Sequence, residues 1–217
     1  MTKQEVLSGI KNIGLVPVLR AESEEQAFAL AVAIADGGVT CLEVTMTVPG
    51  AVRVIARLAK ERPEILLGAG TVLDVESAKA CIGEGATFIV SPAFDEKTVE
   101  HCRKNEIAVL PGALTPTEVL RAWNAGADVV KIFPASAMGG AKYLKSLKAP
   151  LPQIQMIPTG GVSQATAHEF LEAGAFALGV GADLVDTKAI KNGHPETVTA
   201  DAKKYLEIVK AFQARSL

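Results

Sequence analysis

Ala125-Gly126-Ala127-Asp128-Val129-Val130-Lys131-Ile132-Phe133 reads as a helix stop, a tight turn and a buried strand within nine residues. The glycine suits the left-handed position that ends a helix, and the small residue after it lets the chain turn into a sheet. The phrase recurs as Gly-Gly-Val-Thr-Cys-Leu-Glu-Val at 37–44, Glu-Gly-Ala-Thr-Phe-Ile-Val at 84–90 and Ala-Gly-Ala-Phe-Ala-Leu-Gly-Val at 173–180. Repetition at this scale argues for units of one closed structure.

Short apolar, β-branched runs at 15–20, 41–46, 65–70, 88–91, 108–111, 129–133, 155–159 and 177–181 predict eight strands. Helical periodicity at 23–35, 50–60, 75–83, 96–104, 116–124 and 164–173 falls between them. That alternation specifies βαβ units and a parallel sheet. An open doubly wound sheet is the alternative, but eight strand signals and no G-x-G-x-x-G after the first strand favour closure. The predicted fold is α/β, a (β/α)8 TIM barrel with a short amphipathic amino-terminal helix. It is read as a single domain over 1–217, because no Pro/Gly/Ser-rich linker interrupts the series. The 217 residues fall a little short of the roughly 250 typical of such barrels.

Hydrophobic residues make up 49% and charged residues 21% of the chain, the balance of an ordinary globular protein. A formal net charge of −2 leaves no electrostatic footprint for nucleic acid or an anionic membrane. Cys41, Cys81 and Cys102 are odd in number and lack C-x-x-C spacing, so reduced thiols in the cytoplasm are expected. No apolar run reaches membrane-spanning length, and residues 1–11 lack a signal-peptide pattern. His101, His168 and His194 do not have converging metal-ligand spacing and read as surface residues, so no metal is expected. Trp123 reads as packing and Cys102 as an inert helical thiol.

In barrels the chemistry sits at the carboxyl ends of the strands, so polar residues there are the candidates. Lys131 is the single polar group in Val129-Val130-Lys131-Ile132-Phe133, and alternation places it inward with Val129 and Phe133. Burial disfavours the ammonium, and a neutral amine is the nucleophile that imine formation with a ketone requires. The plainer reading is a lysine that closes a buried ion pair or snorkels to the rim. Glu43 shares the inward face of its strand with Cys41 and Thr45. It either neutralises Lys131 or moves protons, and both roles fit one enzyme.

Around this pair, Gly68-Ala69-Gly70-Thr71 ends the third strand with a hydroxyl suited to a carboxylate. Arg20 closes the first strand and either pairs with a substrate carboxylate or is a solvated rim residue. Thr159, Gly160 and Gly161 follow the seventh strand, and Gly181 and Ala182 the eighth, where barrels bind phosphate through backbone N–H groups.

Leu42-Glu43-Val44-Thr45, Gly68-Ala69-Gly70-Thr71-Val72, Ser91-Pro92, Pro111-Gly112, Lys131-Ile132-Phe133-Pro134 and Pro158-Thr159-Gly160-Gly161-Val162 stand in one order along the chain. On these motifs the sequence resembles the bacterial 2-keto-3-deoxy-6-phosphogluconate and 4-hydroxy-2-oxoglutarate aldolases over nearly its whole length. The resemblance implies that Lys131 is the Schiff-base lysine, Glu43 the proton-transferring carboxylate and Thr71 a ligand of the pyruvate moiety. Pro92 and Phe133, within the same motifs, join the implied substrate-binding residues. It also implies a homotrimer, a 2-keto acid substrate releasing pyruvate, and no metal or organic cofactor.

Two positions depart from that pattern. Thr47 stands where many members carry an arginine for the pyruvate carboxylate, and some members with the Thr-Val-Pro form of Thr47-Val48-Pro49 carry an arginine at the first strand's end, which implies that Arg20 takes over that role. Ala182 stands where a serine commonly helps hold phosphate, a contact worth roughly 1.5 to 3 kcal/mol. Thr159 looks like the gluconate-type members. Two rival readings predict no covalent adduct: a phosphate-binding isomerase or epimerase with Glu43 as base, and a barrel that binds a keto acid without turnover.

Overall fold

The computed structural model describes residues 1–215, so the last two residues of the expected 1–217 unit lie outside the described residues. Among the described residues nine strand segments form: β1 (Leu15–Leu19), β2 (Cys41–Thr45), β3 (Leu66–Gly70), β4 (Phe88–Val90), β5 (Ala108–Leu110), β6 (Gly112–Ala113), β7 (Val130–Ile132), β8 (Met156–Pro158) and β9 (Leu178–Val180). All their ladders are parallel, in the orders β5-β4-β3-β2-β1-β9 and β6-β7-β8. A parallel bridge from Thr159 to Gly179 joins the free edge of β8 to β9. The circuit closes through β5 and β6, which are one barrel strand divided at Pro111. Proline has no N–H for a ladder, but the Pro111 carbonyl still accepts the Lys131 amide at 2.9 Å. The expected eight strands are therefore present, the fifth in two pieces.

Helices α1 (Lys3–Ile13), α2 (Glu24–Asp36), α3 (Ala51–Glu61), α4 (Val75–Gly83), α5 (Glu96–Lys104), α6 (Pro116–Asn124), α7 (Ala141–Lys148), α8 (Ala167–Glu172), α9 (Thr187–Lys191) and α10 (Pro195–Ala214) occupy the connections and the ends. Side chains of Ser23, Asp74, Asp95 and Thr115 cap α2, α4, α5 and α6, satisfying amides that have no partner inside the helix. Helix α8 starts at Ala167, later than the expected 164. The intervening turn is held by Thr166 Oγ1, which donates to the Gly161 carbonyl at 2.8 Å and accepts from the Ser163 amide at 2.9 Å. Among the described residues no helix is long and apolar enough to cross a membrane.

Strand alternation produces two cores. Outward residues such as Leu42, Leu67, Ile89 and Ile132 pack against the helices. Inward residues Val16, Cys41, Leu66, Phe88, Val129 and Ile157 form a separate cluster with Val6 and Ile10 of α1. Helix α1 touches β1, β2, β3 and β5 and so seals the amino-terminal end of the barrel. Its Thr2/Glu5 capping box fixes where it begins. Polar groups are thereby confined to the opposite end.

Candidate active site

Strands β2 and β7 lie on opposite sides of the ring, and each projects a charge into the lumen. Lys131 Nζ stands 3.3 Å from Glu43 Oε1, 88 positions apart in the chain, with Lys131 5% and Glu43 1% exposed. Desolvating two charges offsets much of their attraction, so such a pair is poor evidence of stabilisation, and its retention points to chemistry. Gly70 makes room for the carboxylate: a Cβ there would lie 2.7 Å from Glu43 Oε1. On the lysine side, the Phe133 ring centroid is 5.6 Å from Nζ, within cation–π range. Cys41, two residues before Glu43 on the same face, is pushed up by burial and then by the Glu43 charge, and so supplies no thiolate nucleophile.

Toward the rim, Thr45 Oγ1 donates to the Leu19 carbonyl at 2.9 Å and lies 2.7 Å from Thr47 Oγ1. These hydroxyls tie the ends of β1 and β2 together beside Arg20. Thr71 follows Gly70 at φ 57°, a left-handed conformation costly for a β-branched residue. Strain of this kind persists where the surroundings impose a particular side-chain placement.

A cleft of about 690 Å³ opens at the same end. It is lined by Arg20, Phe133 and Thr159 and by two loops, one carrying Gly160 and Gly161, the other Gly181 and Ala182. Gly160 and Gly161 hold φ values of 95° and 75°, which other residues adopt at a cost. The Arg20 guanidinium is exposed and makes no ion pair or hydrogen bond with another described residue. Pro92 lines a second cleft of about 290 Å³ with Gly112 and Arg121, and Phe133 borders both. Thr71, Glu43 and Lys131 line neither.

The structure thus brings Lys131 to Glu43 and gathers seven of the expected binding residues around one cleft, while Pro92 falls beyond Phe133 and Thr71 beside Glu43's strand. Sequence reading missed the Thr45–Thr47 hydroxyl pair, Ser163 and Asp183 in the cleft wall, and Arg121 in the second cleft. Alternation does put Thr45 inward, but its partner on β1 depends on register. His101 and His168 are half-buried and His194 is exposed; among the described residues no group of three or more His, Cys, Asp or Glu is placed to hold a metal.

The family model of the KDPG and KHG aldolases matches residues 6–200. The chain belongs to this family. KDPG and KHG are the two keto acids named above, and the curated relatives agree with the assignment. The 2-dehydro-3-deoxy-phosphogluconate aldolase of Treponema pallidum (strain Nichols) is 35% identical, covering 94% of this chain and 97% of the relative. The KHG/KDPG aldolase of Escherichia coli (strain K12) is 34% identical, covering 90% and 92%. Among solved structures, the KDPG aldolase of Legionella pneumophila superposes with a TM-score of 0.84 at 30% identity, covering 94% of this chain and 97% of that one. In that crystal pyruvate was captured at low pH as a covalent carbinolamine intermediate.

Proposed function

We propose that this family member is a class I aldolase, and that Lys131 is its Schiff-base lysine. The observation that carries the reading is the buried Lys131–Glu43 pair spanning the lumen at 3.3 Å, with Phe133, beside the lysine, bordering an open cleft. The substrates are 2-dehydro-3-deoxy-6-phosphogluconate, cleaved to pyruvate and glyceraldehyde 3-phosphate, and 4-hydroxy-2-oxoglutarate, cleaved to pyruvate and glyoxylate.

Lys131 Nζ attacks the C2 ketone, and proton transfers through Glu43 convert the alkoxide to a carbinolamine and expel water, leaving an iminium. Loss of the C4 hydroxyl proton to Glu43 breaks the C3–C4 bond, and the bonding pair passes into the iminium as an enamine. The aldehyde departs. Protonation at C3 and addition of water then release pyruvate and the free lysine.

In this reading Arg20 and Thr71 hold the pyruvate carboxylate, with Pro92 and Phe133 walling the reacting carbons. Thr159, Gly160, Gly161, Gly181 and Ala182 hold the far end through hydroxyl and backbone donors. The reaction as written uses no metal or organic cofactor. We read residues 1–217 as one domain, assembling as a homotrimer in the cytoplasm, without nucleic-acid or membrane partners. Three buried free thiols support the reducing compartment.

Borohydride reduction with pyruvate, followed by peptide mass mapping, tests the proposal. A carboxyethyl group on Lys131 is the expected result. Folded protein with no adduct would overturn it in favour of an isomerase or a binding barrel.

A further inference from the structure

The two loops that line the main cleft are joined by one carboxylate. Asp183, in the loop after β9, accepts through Oδ2 from the Tyr205 hydroxyl at 2.5 Å and from the Gln164 amide at 3.2 Å. Gln164 belongs to the loop that carries Gly160 and Gly161, so a single oxygen spans both walls. Tyr205 is fully buried in α10, and its side chain is the largest among the fully buried ones. A third connection runs from Gln164 Nε2 to Asp201 Oδ1 at 3.2 Å, and Lys204 Nζ holds that same oxygen at 2.9 Å. The Tyr205 phenol is pushed up by burial, then by the Asp183 hydrogen bond and charge.

The α10 helix could pack through Val198, Ala202 and Val209 with a phenylalanine at 205. A hydroxyl sent from the core to a carboxylate at the cleft edge instead sets the distance between the loops. We propose that Asp183, clasped by Tyr205, is a positioning residue that holds the two glycine loops at the spacing a phosphate-sized anionic group requires. This rests on the assignment of those loops to the far end of the substrate. Asp183 acts through the loops and does not touch the reacting atoms.

The clasp is a hydrogen-bond acceptor, so shape and charge can be separated. Asp183→Asn keeps an oxygen for Tyr205 and Gln164, Asp183→Ala removes it, and Tyr205→Phe removes the donor. The probe is glycerol 3-phosphate, which is unreactive, titrated calorimetrically, with borohydride labelling by pyruvate followed in parallel. We expect Asp183→Ala to weaken glycerol 3-phosphate binding roughly tenfold, the scale of one charge-assisted hydrogen bond. Tyr205→Phe should weaken it in the same direction, and Asp183→Asn should restore it to within about threefold of the parent. Pyruvate labelling of Lys131 should be unchanged throughout, and kcat should hold while KM for the phosphorylated substrate rises.

Unaltered binding in Asp183→Ala, equal loss in the Asn and Ala variants, or no binding of glycerol 3-phosphate by the parent would each overturn the clasp. A parent that binds the probe with the expected variant pattern but never labels with pyruvate would refute the aldolase reading and leave the clasp standing.

Discussion

The two halves of the barrel interior are built from the same strands and differ in what one step along each strand brings. The amino-terminal half is apolar and closed, with Phe88, Cys41, Leu66 and Val129 packed on α1. The carboxyl-terminal half holds Glu43, Thr45, Lys131 and Thr159, and Ser91 follows β4 at the same level; among the buried polar residues described, Thr98 alone lies elsewhere, on α5. Alternation is identical in both halves, so the difference arises from where partners exist. A charge is tolerated where a counter-charge reaches it across the lumen and a cleft opens nearby, and the sealed half has neither.

Removing the charge without changing shape should have the largest effect. Glu43→Gln should lower turnover by about 10²- to 10⁴-fold, with slower borohydride-trapped adduct formation. Unchanged turnover would reduce the pair to a structural ion pair. In the sealed half the expectation reverses: Phe88→Ala should cost about 3–5 kcal/mol by denaturant unfolding, with KM retained in the folded fraction. A large KM change there would show that the halves are not separable.

Arg20→Ala should raise KM about tenfold for pyruvate-forming cleavage and alter stability by less than about 0.5 kcal/mol, since its guanidinium is exposed and unpaired among the described residues. An unchanged KM would remove Arg20 from the site. The buried thiols set the last test. Burial pushes Cys81 up to about 11 and Cys102 up to about 12 from an ordinary 9.0. Below pH 9 both folded and unfolded chains keep these protons. Above it the unfolded chain releases them first, so stability should fall as pH rises from about 9 through the folded values, by up to about 1.4 kcal/mol per pH unit per group. Denaturation midpoints at pH 8 and pH 10 measure this, and Cys81→Ala should flatten the slope.

Much of this architecture can be read from residue order because one local rule generates it. A lysine inside Val-Val-Lys-Ile-Phe and a glutamate inside Cys-Leu-Glu-Val-Thr stand out against apolar strands, and period-two alternation orients both. What resisted reading depends on register or distance. The Thr45 bond to the Leu19 carbonyl follows from the Val18–Glu43 pairing of β1 with β2, which alternation alone does not set. The division of the fifth strand came from one proline whose effect on pairing is local. The α10 helix had a usable signal in buried Val198, Ala202, Tyr205 and Val209, spaced for one face after Pro195. Its hydroxyl's destination, 22 residues back on Asp183, had none.

The plug formed by Val6 and Ile10 makes the lumen a cul-de-sac. In the proposed mechanism pyruvate's carbons are tethered to Lys131 above this sealed floor, and the aldehyde fragment lies between them and solvent. That mechanism implies ordered traffic: on cleavage the aldehyde leaves first and the keto acid last, and in the condensing direction pyruvate is seated before an aldehyde follows it in.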